Sequence, residues 1–259
     1  AEMQLGEKPD DVTNLTPSQL KILGSSYNRV IHYSEAPRIS TGAVNGSLDF
    51  NEIEDCYLSS PVSVTTLDDF LMPEALLRLR KFCLESTIFF TYSGNRFVES
   101  KLHSGFNCDL LYQMIEELKG RFPRVLADHH LANMWIYRYN NQSAGVYPHT
   151  DKGAVTFNFW ITPDDANLIP DRGGLIVYTK EQPYDWDWRY YNRNKYDPAV
   201  SREIADFLND ADTVKIPYRE NRAVLFQSNL FHKSDKIDFR DGFENRRMNI
   251  TIIYDKRDF

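Results

Sequence analysis

Little in this chain is built to be cross-linked, embedded in lipid or wrapped around a polyanion. Its 259 residues include only three cysteines, Cys56, Cys83 and Cys108. They form no CxxC and no Cys/His spacing of a zinc site, so neither a disulfide framework nor a zinc module organises the fold. Reduced structural thiols are expected instead. No apolar run approaches the length of a bilayer span. A cationic excess is also missing. The formal net charge is −7, and phosphate backbones are held by the opposite sign. No nucleic-acid partner and no membrane partner are therefore expected. Glycine and proline, at 12 each, are too sparse for collagen-like or low-complexity classes. No basic segment followed by an apolar one marks a secretory leader, which predicts a cytoplasmic protein.

What is present is apolar and aromatic. Hydrophobic residues make up 42% of the chain, with 15 Tyr and 16 Phe. That suffices for a sizeable core in a single domain covering 1–259. Residues 1–65 read as an N-terminal arm, extended on the body and polar over 1–50. A short helix over Ser18 to Leu23 is favoured by Thr16 as cap and Pro17 in the first turn. Residues 66–130 read as supporting helices. One falls within 66–86, where Pro73 can open it. Another runs from about Cys108 to Lys119, with Asn107 as cap, Gly120 as stop and an apolar stripe from Leu110 to Leu118.

From Leu131 the pattern changes to short β-branched and aromatic runs separated by turn clusters. These are 131–139, 154–162, 174–179, 213–217, 223–227 and 248–254. Such spacing predicts a mainly β (α+β) fold with a jelly-roll core over 131–259 and the N-terminal helices packed on one sheet. An insertion at 180–212 interrupts it, with a helix expected over Pro198 to Leu208.

The chemistry-bearing pattern starts at His149-Thr150-Asp151. In extended chain, residues i and i+2 share a face, so an imidazole and a carboxylate converge. His232 follows after a further strand-like run. Two histidines and one carboxylate on one face of a metal form the facial triad of non-haem Fe(II) oxygenases. Arg246 and Arg247 then head the last strand, where a buried arginine calls for a carboxylate partner. His32, His103, His129 and His130 lack a ligand-spaced partner and are read as structural or solvated.

Several segments in this order resemble the 2-oxoglutarate and Fe(II)-dependent dioxygenases, in particular their prolyl-hydroxylase-like branch. They are Tyr139-Asn-Asn-Gln-Ser-Ala-Gly145, His149-x-Asp151, Val155-Thr-Phe-Asn-Phe-Trp160 and Gly173-Gly-Leu175. Asn221-Arg-Ala-Val-Leu-Phe226, His232 and Arg247-Met-Asn-Ile-Thr251 complete the series. The likeness covers about 131–255, and residues 66–130 are similar to an uncharacterised bacterial subgroup. It implies a double-stranded β-helix, with His149, Asp151 and His232 binding Fe(II). It also implies that Arg247 pairs with 2-oxoglutarate, the co-substrate, and that Tyr139 hydrogen-bonds it. Arg247 is preferred over Arg246 because it shares parity with Asn249 and Thr251, placed facing inward. Asn158 and Trp160 share a strand face and are assigned to the same pocket, although Trp160 stands where the branch can carry a tyrosine.

The reaction implied is hydroxylation of a C–H bond of a small molecule or amino-acid derivative, with release of succinate and CO2. A peptide hydroxylase and a non-catalytic metal-binding module are the alternatives. Asp151 favours hydroxylation, because related halogenases have a small residue there. Within the insertion, Trp186, Trp188 and Arg189 are assigned to substrate, as part of a lid. Asp235, Asp238 and Asp241, in the loop between His232 and Arg247, are offered as a substrate rim.

Overall fold

The computed structural model describes residues 16–23, 32–93 and 96–256. The rest of the expected arm lies outside the described residues. The expected short helix is present as α1, Pro17–Leu23. Thr16 and Gln19 cap it reciprocally, each side chain meeting the other's backbone N–H. Residues 32–39 are extended, residues 40–49 continue through turns, and the stretch lies along the second long helix of the body. There Gln113 bonds both backbone groups of Ile39, and the Glu117 carboxylate accepts from the N–H groups of Ala43 and Val44.

The next elements correct the reading of the N-terminal half. A helix, α2, covers Phe50–Ser59, inside the stretch assigned to the arm. Its fully buried Glu54 accepts from the N–H groups of Arg124 and Val125 and pairs with the Arg124 guanidinium. A buried glutamate breaks an apolar stripe, and its partner lies too far along the chain to be read locally. Strand β1, Val64–Leu67, follows, and the helix expected within 66–86 is α3, Pro73–Glu85. Two further strands, β2 (Thr91–Ser93) and β3 (Phe97–Lys101), replace the wholly helical character expected there. The next helix, α4, is Asp109–Arg121. It starts behind Cys108 rather than Asn107, whose side chain donates to Leu102 O instead. It also runs through Gly120 and stops before Pro123, which opens the short α5, Pro123–Leu126.

The β core comprises β4 (His130–Tyr139), β5 (Gln142–Ser143), β6 (Val155–Trp160), β7 (Leu175–Glu181) and, beyond the insertion, β8 (Thr213–Ile216). It continues with β9 (Ala223–Gln227), β10 (Leu230–Ser234), β11 (Ile237–Asp238) and β12 (Met248–Asp255). The insertion holds α6 (Trp188–Asn194) and α7 (Pro198–Phe207). Asp187 and Asp197 cap these two helices, each through its side chain.

Seven strands form one antiparallel sheet in the order β1-β9-β6-β12-β4-β3-β2. A smaller sheet, β10-β7-β8, faces it. The stretch 146–149 runs beside β10, bonded through the pairs His149–His232 and Val146–Ser234. Strand parity divides the large sheet. Met134, Ile136, Phe157, Phe159, Ile250 and Ile252 pack outward against α3, α4 and the arm. Trp160, Val224 and Phe226 face inward, toward Leu175 and Val177 of the small sheet. The architecture is thus the jelly roll expected, with helices on one sheet.

Candidate metal centre

His149 lies on the segment beside β10 and His232 lies within β10, so the backbone bridge between them sets both imidazoles side by side. Their ring centroids are 4.3 Å apart. Asp151 is not in a regular strand. Its N–H is fastened to Ser228 O at 2.8 Å, which turns the carboxylate back toward the two rings. Asp151 Oδ1 is 3.9 Å from His149 Nε2, and Oδ2 is 3.6 Å from His232 Nε2. One ligand atom from each residue falls within 4.8 Å of the others. Among the described residues this is the one such His/Cys/Asp/Glu group, and His32, His103, His129 and His130 take no part.

Both rings are held in the same tautomer. His149 Nδ1 meets Tyr147 O at 2.8 Å, and His232 Nδ1 meets Leu230 O at 3.0 Å. A carbonyl only accepts, so each Nδ1 donates and each Nε2 lone pair faces the cluster. Burial, then the neighbouring His232 and Lys195 charges, hold His149 well below the ordinary imidazole range. It is a neutral donor. Burial raises the Asp151 carboxyl, opposed by His232 and by a hydrogen bond from Thr156. Thr156 Oγ1 stands 3.2 Å from Asp151 Oδ2 and 2.9 Å from Ser228 Oγ.

Two cavities meet at this cluster, and Trp135, Tyr137, His149 and Asp151 border both. The first runs inward between the sheets and holds about 20 Å³, room for one water. Tyr139, Asn158, Ser234, Asn249 and Thr251 line it. Tyr139 Oη lies 3.3 Å from Ser234 Oγ, and Asn158 Nδ2 donates to Thr251 Oγ1 at 3.3 Å. Asn158 Oδ1 is buried without a partner.

Arg247 sits behind this wall, fully buried. Its Nε donates to Gly173 O at 2.6 Å and Nη2 to Gly174 O at 3.2 Å, while Nη1 has no partner. The guanidinium lies 4.8 Å from the Tyr139 ring centroid and 5.5 Å from that of Trp160. No described carboxylate pairs with it. Arg246, one residue earlier, is on the opposite face beside Arg138, as parity required.

The second cavity, about 250 Å³, opens on the insertion side. Trp188 lines it and donates from Nε1 to Thr150 O at 3.1 Å. Asn192 Nδ2 also donates to Thr150 O, at 2.9 Å, so α6 is tied to the residue between His149 and Asp151.

Four sequence assignments need correction. Trp160 is fully buried one layer behind the inner cavity, against Tyr218, and does not line it. Trp186 stacks on Tyr191 at 4.1 Å and packs with Phe207 and Phe231 inside the insertion. Arg189 is exposed at the start of α6 and lines neither cavity. The acidic rim does not form at the triad, because Asp235 is clasped by Arg172 at 2.7 Å and lines neither of the two cavities. Trp135, Tyr137 and Ser234 also line the inner cavity, beyond the residues expected from the sequence. Alternation from Tyr139 along β4 marks the first two, whereas Ser234 depends on β10, which was not foreseen.

No family model and no curated protein sequence matches the chain. Solved structures do. The non-haem α-ketoglutarate-dependent carbocyclase SnoK from nogalamycin biosynthesis is 12% identical, with a TM-score of 0.58, over 84% of this chain and 87% of that one. The non-haem α-ketoglutarate-dependent epimerase SnoN from the same biosynthesis is 13% identical, with a TM-score of 0.53, over 80% and 83%. HygX from Streptomyces hygroscopicus, with nickel and 2-oxoglutarate bound, is 12% identical, with a TM-score of 0.51, over 80% and 87%. The two-sheet topology, the likeness to these structures and the His-Asp-His cluster between the sheets agree: the chain has the double-stranded β-helix fold of the 2-oxoglutarate-dependent non-haem oxygenases.

Proposed function

We propose that this protein is an Fe(II)- and 2-oxoglutarate-dependent oxygenase that hydroxylates a C–H bond of a small molecule. The observation that carries this reading is the convergence of two Nε2 lone pairs and one carboxylate, with both Nδ1 atoms fixed by backbone carbonyls. Two imidazoles and one carboxylate suit a first-row metal and leave coordination positions open. His149, Asp151 and His232 would hold the metal, and Thr156 would keep the Asp151 carboxylate turned toward it.

The inner cavity suits a chelating dicarboxylate by its chemistry. It is lined by hydroxyls and amides, includes an unpartnered Asn158 Oδ1, and is backed by a buried guanidinium with a free Nη1 and no counter-charge. A buried cation of that kind is costly without an anion, and a guest carboxylate supplies one. Its present size admits water alone, so the side chains facing it must shift when a diacid enters. When bound, iron and 2-oxoglutarate would supply the oxidising power, with the keto acid converted to succinate and CO2. The chain's own part is to bind both, to orient the substrate in the outer cavity and to limit water there.

The similar folds include a carbocyclase and an epimerase, so hydroxylation as the outcome is our reading. The tie of α6 to Thr150 gives the outer cavity a wall over the metal ligands. That favours a small molecule over a peptide lying in an open groove. The test is succinate formation from 2-oxoglutarate with Fe(II) and oxygen. Turnover that requires Fe(II) and vanishes in His149→Ala is expected. No turnover, together with no anaerobic 2-oxoglutarate binding by the Fe(II)-loaded protein, would overturn the assignment in favour of a non-catalytic module.

A further inference from the structure

The outer cavity has an uneven charge distribution. Three lysines, Lys101, Lys152 and Lys195, stand in its wall with Trp135 and Trp188. Lys195 follows α6 and is half-buried, its Nζ donating to Asn192 O at 3.0 Å. Neither Lys195 nor Lys152 has a carboxylate within ion-pairing distance among the described residues. Lys101 has one, Glu99, at 3.3 Å. A fourth cation, Arg96, lies behind Lys195, over the Tyr196 ring at 3.7 Å. Two acids, Asp151 and Glu99, are set against these four cations, and in the oxygenase reading Asp151 belongs to the metal. The two indoles supply flat apolar surface, and Trp135 Nε1 is buried without a hydrogen-bond partner.

An unpaired ammonium in a recessed wall, beside aromatic faces, matches a ligand with an anionic group on a flat apolar body. We propose that the substrate is such a small organic anion, a carboxylate or phosphate, held at its charged end by Lys195 and along its body by Trp135 and Trp188. This rests on the oxygenase reading, since it takes the triad as the reacting end of the cavity. Lys152 is exposed and Lys101 is already paired, so Lys195 bears the recognition.

The test uses the full chain loaded with Ni(II) and saturated with 2-oxoglutarate, whose own binding is titrated first. Paired probes are then compared by tryptophan fluorescence and ligand-observed NMR. They are benzoate, 1-naphthoate, indole-3-acetate and phenyl phosphate, against benzamide, 1-naphthamide, indole-3-acetamide and phenol. An anion is expected to bind about tenfold tighter than its neutral partner. Lys195→Met should erase that difference and leave 2-oxoglutarate affinity unchanged, and Lys195→Arg should restore it. Equal binding of neutral partners, an unchanged anion affinity in Lys195→Met, or no binding by any anion overturns the proposal. Failure of 2-oxoglutarate to bind, with the Lys195-dependent anion preference intact, overturns the oxygenase reading and leaves the anion site standing.

Discussion

Two imidazoles and a carboxylate taken out of water together are costly unless something removes the charge or shares it. In this protein the backbone carbonyls of Tyr147 and Leu230 hold the rings by Nδ1, and burial keeps His149 neutral. The site is therefore prepared as a set of donors, with Thr156 steadying the carboxylate. Asp151→Asn should lower Ni(II) affinity at least about a hundredfold, and Thr156→Val about tenfold, since orienting partners matter nearly as much as ligands. Calorimetric titration checks both, and equal losses would show that Thr156 does not orient the carboxylate. Arg247 differs, because it is a buried cation lacking a buried anion. Arg247→Met should weaken 2-oxoglutarate binding about a hundredfold. It should change the stability of the metal-free protein by less than about 2 kcal/mol, because loss of the bonds to the Gly173 and Gly174 carbonyls offsets relief of the buried charge. A large destabilisation with intact 2-oxoglutarate affinity would make Arg247 a structural residue.

At the scale of elements, the start of β7 does two jobs. A Cβ on Gly174 would lie 1.9 Å from Ile216 O, across the β7–β8 pair, and the carbonyls of Gly173 and Gly174 hold the Arg247 guanidinium. Gly174→Ala should therefore cost more than about 2 kcal/mol and weaken 2-oxoglutarate binding as well. Chemical unfolding and ligand titration on one preparation check the pair of effects. At the sheet edge, Asp68 follows β1 and accepts from Arg222, which precedes β9, and from Arg219. The Arg222 hydrogen bond, then its charge and that of Arg219, lower the Asp68 carboxyl against the opposing effect of burial. A depressed carboxylate contributes stability above its ordinary range and loses it as pH falls through the folded value. Asp68→Asn should thus cost up to about 1 kcal/mol at pH 7, after solvent screening, and nothing in strong acid. Unfolding curves at the two pH values decide it.

At the scale of the molecule, the proposed metal site draws on three segments: 146–151, β10 and, through Thr156, β6. An ion that binds only the folded chain stabilises it by about 2.7 kcal/mol at a hundredfold excess over Kd. Ni(II) should therefore raise the Tm by about 5 °C or more, and the rise should be absent in Asp151→Asn, as a thermal melt would show. The strand alternation, the His-x-Asp pair and the inward parity of Arg247, Asn249 and Thr251 were legible in the sequence, because they depend on local period alone. Parity told which face Trp160 and Asn158 share, but not their depth. Depth depends on where β6 meets β12 and the small sheet, and there Trp160 falls behind the cavity. The insertion told of aromatics but not which of them pack. Trp186 is taken up by Tyr191, Phe207 and Phe231, and Trp188 is left to wall the outer cavity. Strands β1 to β3 carry too little pattern of their own, and pairing of β1 with β9, β3 with β4 and β2 with β3 makes them strands. Sequence by itself thus determined the kind of core and the His149-x-Asp151 pair, whose spacing is local, whereas the bridge to β10 is what brings His232 to that pair. Tertiary structure decided the cation-lined outer cavity. Lys101, Lys152 and Lys195 come from different segments, and only long-range packing brings unlike segments to one wall.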